Sequence, residues 1–215
     1  MNAREEILAR IRQAHAAAPP AAPALDAVDR SYRDQPNRSN PDLAELLTDR
    51  LLDYRASVRH CAPAELAATI AAAVAERSLA AVVVPDGLPS EWLAGVSVPV
   101  RRDGPGAPLP VAELDRAAGV ITGCAVAAAE TGTLVLDAAP DQGRRAITLI
   151  PDYHLCVVGA GAIEPDIPEA LARLDPDRPL TFISGPSATS DIELTRVEGV
   201  HGPRTLEVII VGAAG

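Results

Sequence analysis

What most limits the folds open to this chain is an alternation that starts near residue 58 and runs to residue 211. Short apolar runs rich in Val and Ile, bounded by Gly, Pro or Asp, take turns with stretches of helical periodicity. Val58–Cys61, Ala80–Val84, Val96–Arg101, Gly119–Cys124, Gly132–Leu136, Ala146–Ile150, Leu155–Val158, Leu180–Ser184 and Leu206–Val211 read as strands. Pro63–Arg77, Val111–Ala117 and Ile167–Leu174 read as helices, with a helical turn at Ser90–Leu93. Several of the strands are apolar throughout, the pattern of a sheet covered by helices on both faces. Between Gly119 and Val158 no helices intervene, so antiparallel strands are expected there. The predicted architecture is α/β, a three-layer α/β/α sandwich.

Ahead of this block, Asn2 to His15 reads as a short helix with Ile7, Leu8 and Ile11 on one face. Ala16–Pro23 is an Ala/Pro linker, and residues 24–39 are polar and irregular. Asn40-Pro41 is a strong helix start, an N-cap residue followed by proline at the first helical position. Leu43, Leu46, Leu47, Leu51 and Leu52 give that second helix an apolar face. The first sixty residues read as an N-terminal helical arm. The predicted division is residues 1–39, a helix with a flexible linker, and residues 40–215, the α/β domain.

Composition narrows the chemistry. The chain has 215 residues, 48% hydrophobic but only 2% aromatic, with a formal charge of −10. Few aromatic platforms and an acidic balance argue against nucleic acid as a partner. All 19 basic residues are Arg, which removes Schiff-base chemistry, a Lys base and a Lys-containing phosphate loop. Cys61, Cys124 and Cys156 are widely spaced and form no CxxC pair, so they read as reduced core thiols. Gly159-Ala160-Gly161 fails as a dinucleotide signature because Glu164-Pro165 stands where the third glycine and helix start belong. With neither an iron–sulfur nor a dinucleotide motif, the cofactor stays unknown. The charged N-terminus lacks an apolar signal segment and no run reaches a membrane span, so a cytoplasmic protein is expected.

The densest polar chemistry lies in Ser184-Gly185-Pro186-Ser187-Ala188-Thr189-Ser190-Asp191-Ile192-Glu193, followed by Gly199-Val200-His201-Gly202-Pro203-Arg204. The first block follows an apolar run, and open α/β sheets gather ligands at the carboxyl ends of strands. Its hydroxyls either orient a ligand or simply cap a helix start. In the second block His201 suits acid–base or anion contact and Arg204 suits a carboxylate or phosphate, unless the glycines and proline only serve a turn. Glu130, in Ala129-Glu130-Thr131-Gly132-Thr133, is a candidate base or nucleophile, though taken alone an exposed turn residue is the plainer reading. Asp152 and His154 share a face if extended, but a hydrogen-bonded structural histidine explains His154 better than a metal ligand, and no metal site is expected. Arg144-Arg145 is either an anion clamp or a solvated loop.

Gly119-Val120-Ile121-Thr122-Gly123-Cys124, Ala129–Thr133, Ile150-Pro151-Asp152-Tyr153-His154, Ser184–Glu193 and Gly199–Arg204 occur in an order that resembles the LUD-domain (LutC/YkgG) family, over roughly residues 40–213. The resemblance implies a fold similar to the NagB/RpiA/CoA-transferase-like group. It also implies a part in oxidising L-lactate to pyruvate, beside iron–sulfur partner proteins that carry the electrons. On this basis Glu130, His201 and Asp191 are candidate catalytic residues. Thr131, Gly132, Ser187, Thr189, Glu193 and Arg204 are candidate binding residues for a small carboxylate or phosphate. Arg204 would hold the substrate carboxylate, His201 or Glu130 would move a proton, and the Ser187 and Thr189 hydroxyls would orient oxygen atoms. The alternatives are a stand-alone enzyme, either a CoA transferase with Glu130 as nucleophile or a sugar-phosphate isomerase, and a non-catalytic assembly subunit of the lactate-oxidising complex.

Overall fold

A computed structural model describes residues 3–16, 40–189, 197–199 and 201–212. The chain divides into two compact units, Met1–Pro36 and Asn37–Gly215. In the first, α1 (Ala3–Ala16) has no buried residue, and an i,i+4 pair between Glu6 and Arg10 lies along its surface.

The second unit opens with α2 (Asn40–Asp53), β1 (Ser57–Cys61), a 3₁₀ turn (Pro63–Glu65), α3 (Leu66–Glu76) and β2 (Ala81–Pro85). A second 3₁₀ turn (Ser90–Leu93) leads to β3 (Val100–Asp103), α4 (Val111–Ala117), β4 (Ala118–Thr122), β5 (Val126–Ala128) and β6 (Thr133–Leu136). After a 3₁₀ turn at Arg145–Thr148 come β7 (Tyr153–Gly159), β8 (Ile163–Glu164), α5 (Ile167–Ala172) and β9 (Thr181–Ile183). The short strands β10 (Ala188–Thr189) and β11 (Val197–Glu198) precede β12 (Thr205–Val211).

Six strands form a fully parallel sheet in the order β1-β12-β7-β4-β2-β3. Its residues alternate between faces. Val82, Val84, Ile121, Leu155 and Ile209 pack with Leu66, Ile70, Ala73 and Val74 of α3 on one side. Cys156, Val158, Val208 and Ile210 face the other way, against Leu43, Leu47 and Leu51 of α2 and the inner face of a second sheet. That second sheet runs β8-β5-β6-β9, with β5 and β9 antiparallel to β6. The three-layer α/β prediction holds, as does the expectation of antiparallel strands after Gly119.

Several boundaries differ from prediction for identifiable reasons. Ala146–Ile150 is not a strand. Gly143 turns the backbone at φ +69°, and the 3₁₀ turn that follows lays Ile147 onto Val83 and Val120 of the sheet. The run is apolar because it covers the sheet, not because it joins it. Pairing in the Val96–Arg101 run begins only at Val100, since Pro99 has no N–H to give, and continues to Asp103. β5 hides in an alanine run whose one β-branched residue is Val126. Leu47 and Leu51 are wholly buried, so one face of α2 is part of the core, while Leu52 lies on its exposed side.

One ion sits inside the sheet. The Glu207 carboxylate is fully buried and accepts from Arg59 Nε, from Arg77 Nη2 at 2.9 Å and from the Tyr153 hydroxyl at 3.1 Å. These partners replace the water it has lost. Glu76 and Glu207 together raise the pKa of Arg59, and burial raises that of Tyr153. Among the described residues no helix is long and apolar enough to cross a membrane.

Candidate functional site

The Glu130 turn is built by its neighbours' backbones. Ala129 N and Glu130 N donate to Glu164 O and Pro165 O, both at 2.9 Å. Arg50 Nε of α2 donates to Glu130 O at 3.2 Å. Gly132 has φ +61°, and a Cβ there would come within 2.8 Å of Arg50 Cβ, so this position needs glycine twice over. The Glu130 side chain is exposed. From the turn a row of hydroxyls leads away: Thr131 Oγ1 to Thr133 Oγ1 at 2.8 Å, then Thr133 Oγ1 to Ser184 Oγ at 2.9 Å. Gly185, at φ +89°, fits against Tyr54 just beyond α2. The end of α2 therefore positions both the Glu130 turn and the start of the Ser184 block.

The two polar blocks are joined to each other. Ser187 N donates to Pro203 O at 2.8 Å, Gly199 N to Ser187 O at 3.0 Å, and His201 N to Ser187 Oγ at 3.0 Å. Beside this junction lies a cleft of about 230 Å³. Ser184, Ser187 and His201 line it together with Arg145, Thr148, Leu206 and the buried His154. The location differs from expectation. His154 and Leu206 stand at the amino ends of β7 and β12, and β9, which leads into Ser184, belongs to the second sheet with Phe182 exposed. The carboxyl-end rule for open parallel sheets thus does not apply to this segment.

His154 and Arg145 carry the electrostatics. His154 is 1% exposed and its Nε2 lies 2.8 Å from Thr122 Oγ1. Burial, and then the charge of Arg145, push its pKa down to about 4, so the ring is neutral at neutral pH. Arg145 Nη1 donates to Thr148 Oγ1 at 3.1 Å. Among the described residues it has no carboxylate partner, and burial lowers its pKa. Arg144 turns away and grips Asp103 through Nε at 2.9 Å and Nη2 at 2.8 Å. The Arg-Arg pair is therefore split, Arg144 serving Asp103 and Arg145 lining the cleft.

Of the predicted site residues, the structure brings Ser187 and His201 into this cleft. Glu130, Thr131 and Gly132 form the adjoining turn, connected through the hydroxyl row to Ser184. Arg204 is not among the lining residues: its Nε donates to Asp152 Oδ1 at 2.7 Å, and its side chain packs on Gly199. Asp152 therefore faces Arg204 and does not join His154. Thr189 pairs with Val197 in the β10–β11 ribbon. Asp191 and Glu193 lie outside the described residues. Arg145, raised in the sequence only as half of a possible anion clamp, and Thr148, not singled out there, also line the cleft. Among the described residues no group of three or more His, Cys, Asp or Glu side chains could hold a metal ion.

Comparison with known proteins adds the following. The family model for the LUD domain matches residues 112–211. The chain is 52% identical over 178 residues to lactate utilization protein C of Deinococcus radiodurans, covering 81% of this chain and 82% of that protein. It is 35% identical over 99 residues to lactate utilization protein C of an Exiguobacterium species, covering 42% and 43%. With the uncharacterized protein YkgG of Escherichia coli it shares 34% identity over 90 residues, 38% of each. A crystal structure of a DUF162 family protein from Deinococcus radiodurans superimposes with a TM-score of 0.69 at 45% identity, covering 81% of this chain and 99% of that one.

Proposed function

The chain belongs to the LUD-domain family, and on that footing we propose that it serves lactate utilization by holding a small carboxylate, lactate or pyruvate, in the cleft lined by His154. The observation that carries this reading is Arg145. A guanidinium that lines the cleft and lacks a carboxylate partner among the described residues is open to an anionic ligand, and its fork matches a carboxylate. Ser187 and His201 line the same cleft, where a hydroxyl and an imidazole would orient the ligand's remaining oxygen. In this reading Arg204, held by Asp152, positions the His201 turn and does not itself grip the carboxylate. Proton movement falls to His201 at the cleft, or to Glu130 through the hydroxyls of Ser184, Thr133 and Thr131. The electrons removed from lactate would pass to iron–sulfur partner proteins, as the family resemblance implies.

Calorimetric titration of L-lactate and of pyruvate tests the proposal. Arg145→Gln should weaken binding ~10-fold or more, the usual worth of a charge-assisted pair, while Arg204→Gln should have a smaller effect. Equal affinity in the wild type and Arg145→Gln would remove the cleft from consideration.

A further inference from the structure

A second cavity, of about 680 Å³, opens at the carboxyl ends of β2 and β3. The sheet reverses its order here. From β2 the chain steps outward to β3 and then returns past β2 to β4. The carboxyl end of β2 therefore lies at a topological switch point, where open parallel sheets leave a crevice between diverging connections. The volume is within the range of small-molecule sites, roughly 300–1,000 Å³.

The lining restricts what can enter. Pro85, Pro105, Pro108 and Pro140, with Ala138 and Ala139, make the walls apolar and stiff. The two arginines at the cavity already have counterions: Arg144 is paired with Asp103, and Arg178 Nη1 lies 2.8 Å from Asp137 Oδ2. Asp86 differs. Among the described residues its carboxylate has no hydrogen-bond or ion-pair partner, although its backbone is fixed at both ends. Its N–H donates to Asp103 O at 3.0 Å and its carbonyl accepts from Arg102 Nη1 at 2.9 Å. Gly104 makes room for the side chain, because a Cβ at that position would collide with Asp86 Oδ2. The fold thus holds a solvent-exposed acceptor at the edge of an apolar cavity, with both oxygens open to a ligand in exchange for water.

We propose that this cavity binds a ribonucleoside or its monophosphate, with the base between the proline walls and the two ribose hydroxyls donating to Asp86. An ionised carboxylate only accepts, so the ligand must bring donors. A vicinal diol offers two neutral donors side by side, matched to two carboxylate oxygens. A free sugar would leave the apolar walls unused, and a hydrocarbon would cover Asp86 without giving it a partner, at a cost in free energy. A flat heteroaromatic ring joined to a diol meets both demands.

The experiment is calorimetric titration of the full chain with adenosine, guanosine, cytidine and uridine, with their 5′-monophosphates, and with 2′,3′-dideoxyadenosine and dideoxycytidine. Saturable binding of at least one ribonucleoside is expected, at least ~10-fold weaker for its dideoxy form and weakened similarly by Asp86→Asn. Gly104→Ala, which displaces the carboxylate, should copy Asp86→Asn. Arg145→Gln should leave nucleoside affinity unchanged, so this inference and the lactate cleft stand or fall separately. Tighter binding of a monophosphate than of its nucleoside would assign the unpaired edge of Arg178 to the phosphate; equal binding would assign the site to the nucleoside alone. Absence of saturable binding below ~1 mM for all of them, or equal binding of ribose and dideoxy forms, would overturn the proposal.

Discussion

His154 shows how one side chain can make the whole fold sensitive to pH. Its folded pKa of about 4 lies below the ordinary value of 6.5 because burial and Arg145 both disfavour the charged ring. Between these values the unfolded chain binds a proton that the folded chain refuses, so stability falls as pH drops from about 6.5 to about 4 and levels off below. The full loss is on the order of 3 kcal/mol. Thermal melts at stepped pH should show this decline in the wild type and a flatter profile in His154→Gln, which keeps a polar partner for Thr122 without the titration. A profile unchanged by the substitution would assign the acid sensitivity to carboxylates elsewhere.

At the scale of elements, α2 matters most, because one of its faces enters the core and its end shapes the site. Leu47→Ala should cost about 2–5 kcal/mol in urea unfolding, whereas Leu52→Ala, on the exposed side, should stay within about 0.5 kcal/mol. The spacing of the leucines made the buried face of α2 legible in the sequence, and uniformly apolar Val/Ile runs did the same for β2, β4 and β7. Ala146–Ile150 misled because a segment lying on a sheet needs the same apolar residues as a strand within it. Val126–Ala128 was passed over because its alanines pair through the backbone, which leaves no mark on side-chain type. In the site, Ser187 and His201 were legible as polar residues among glycines and prolines. Arg145 was legible only as half of a basic pair: its place in the cleft beside His154 and the His201 turn is set by residues remote in sequence. The choice of which arginine meets Asp103 is likewise made by the tertiary fold.

At the scale of the whole molecule, a chain beginning at residue 17, which lacks α1, should melt within about 2 °C of the full chain, because α1 buries none of its residues. A drop of several degrees in calorimetry would give the first unit a structural part. The order of the parallel sheet has a further consequence for how the protein is made. β12 lies between β1 and β7, with Ser57 opposite Glu207 and Tyr153 opposite Thr205. The earliest strand to be synthesised thus waits for the latest before it can join the sheet. Throughout that interval the ribosome carries a half-built sheet whose apolar β7 edge is bare, the state in which nascent chains pair with one another. A premature stop anywhere upstream of residue 205 removes an interior strand, not a tail. Truncated products should therefore be insoluble even when most of the sequence has been translated.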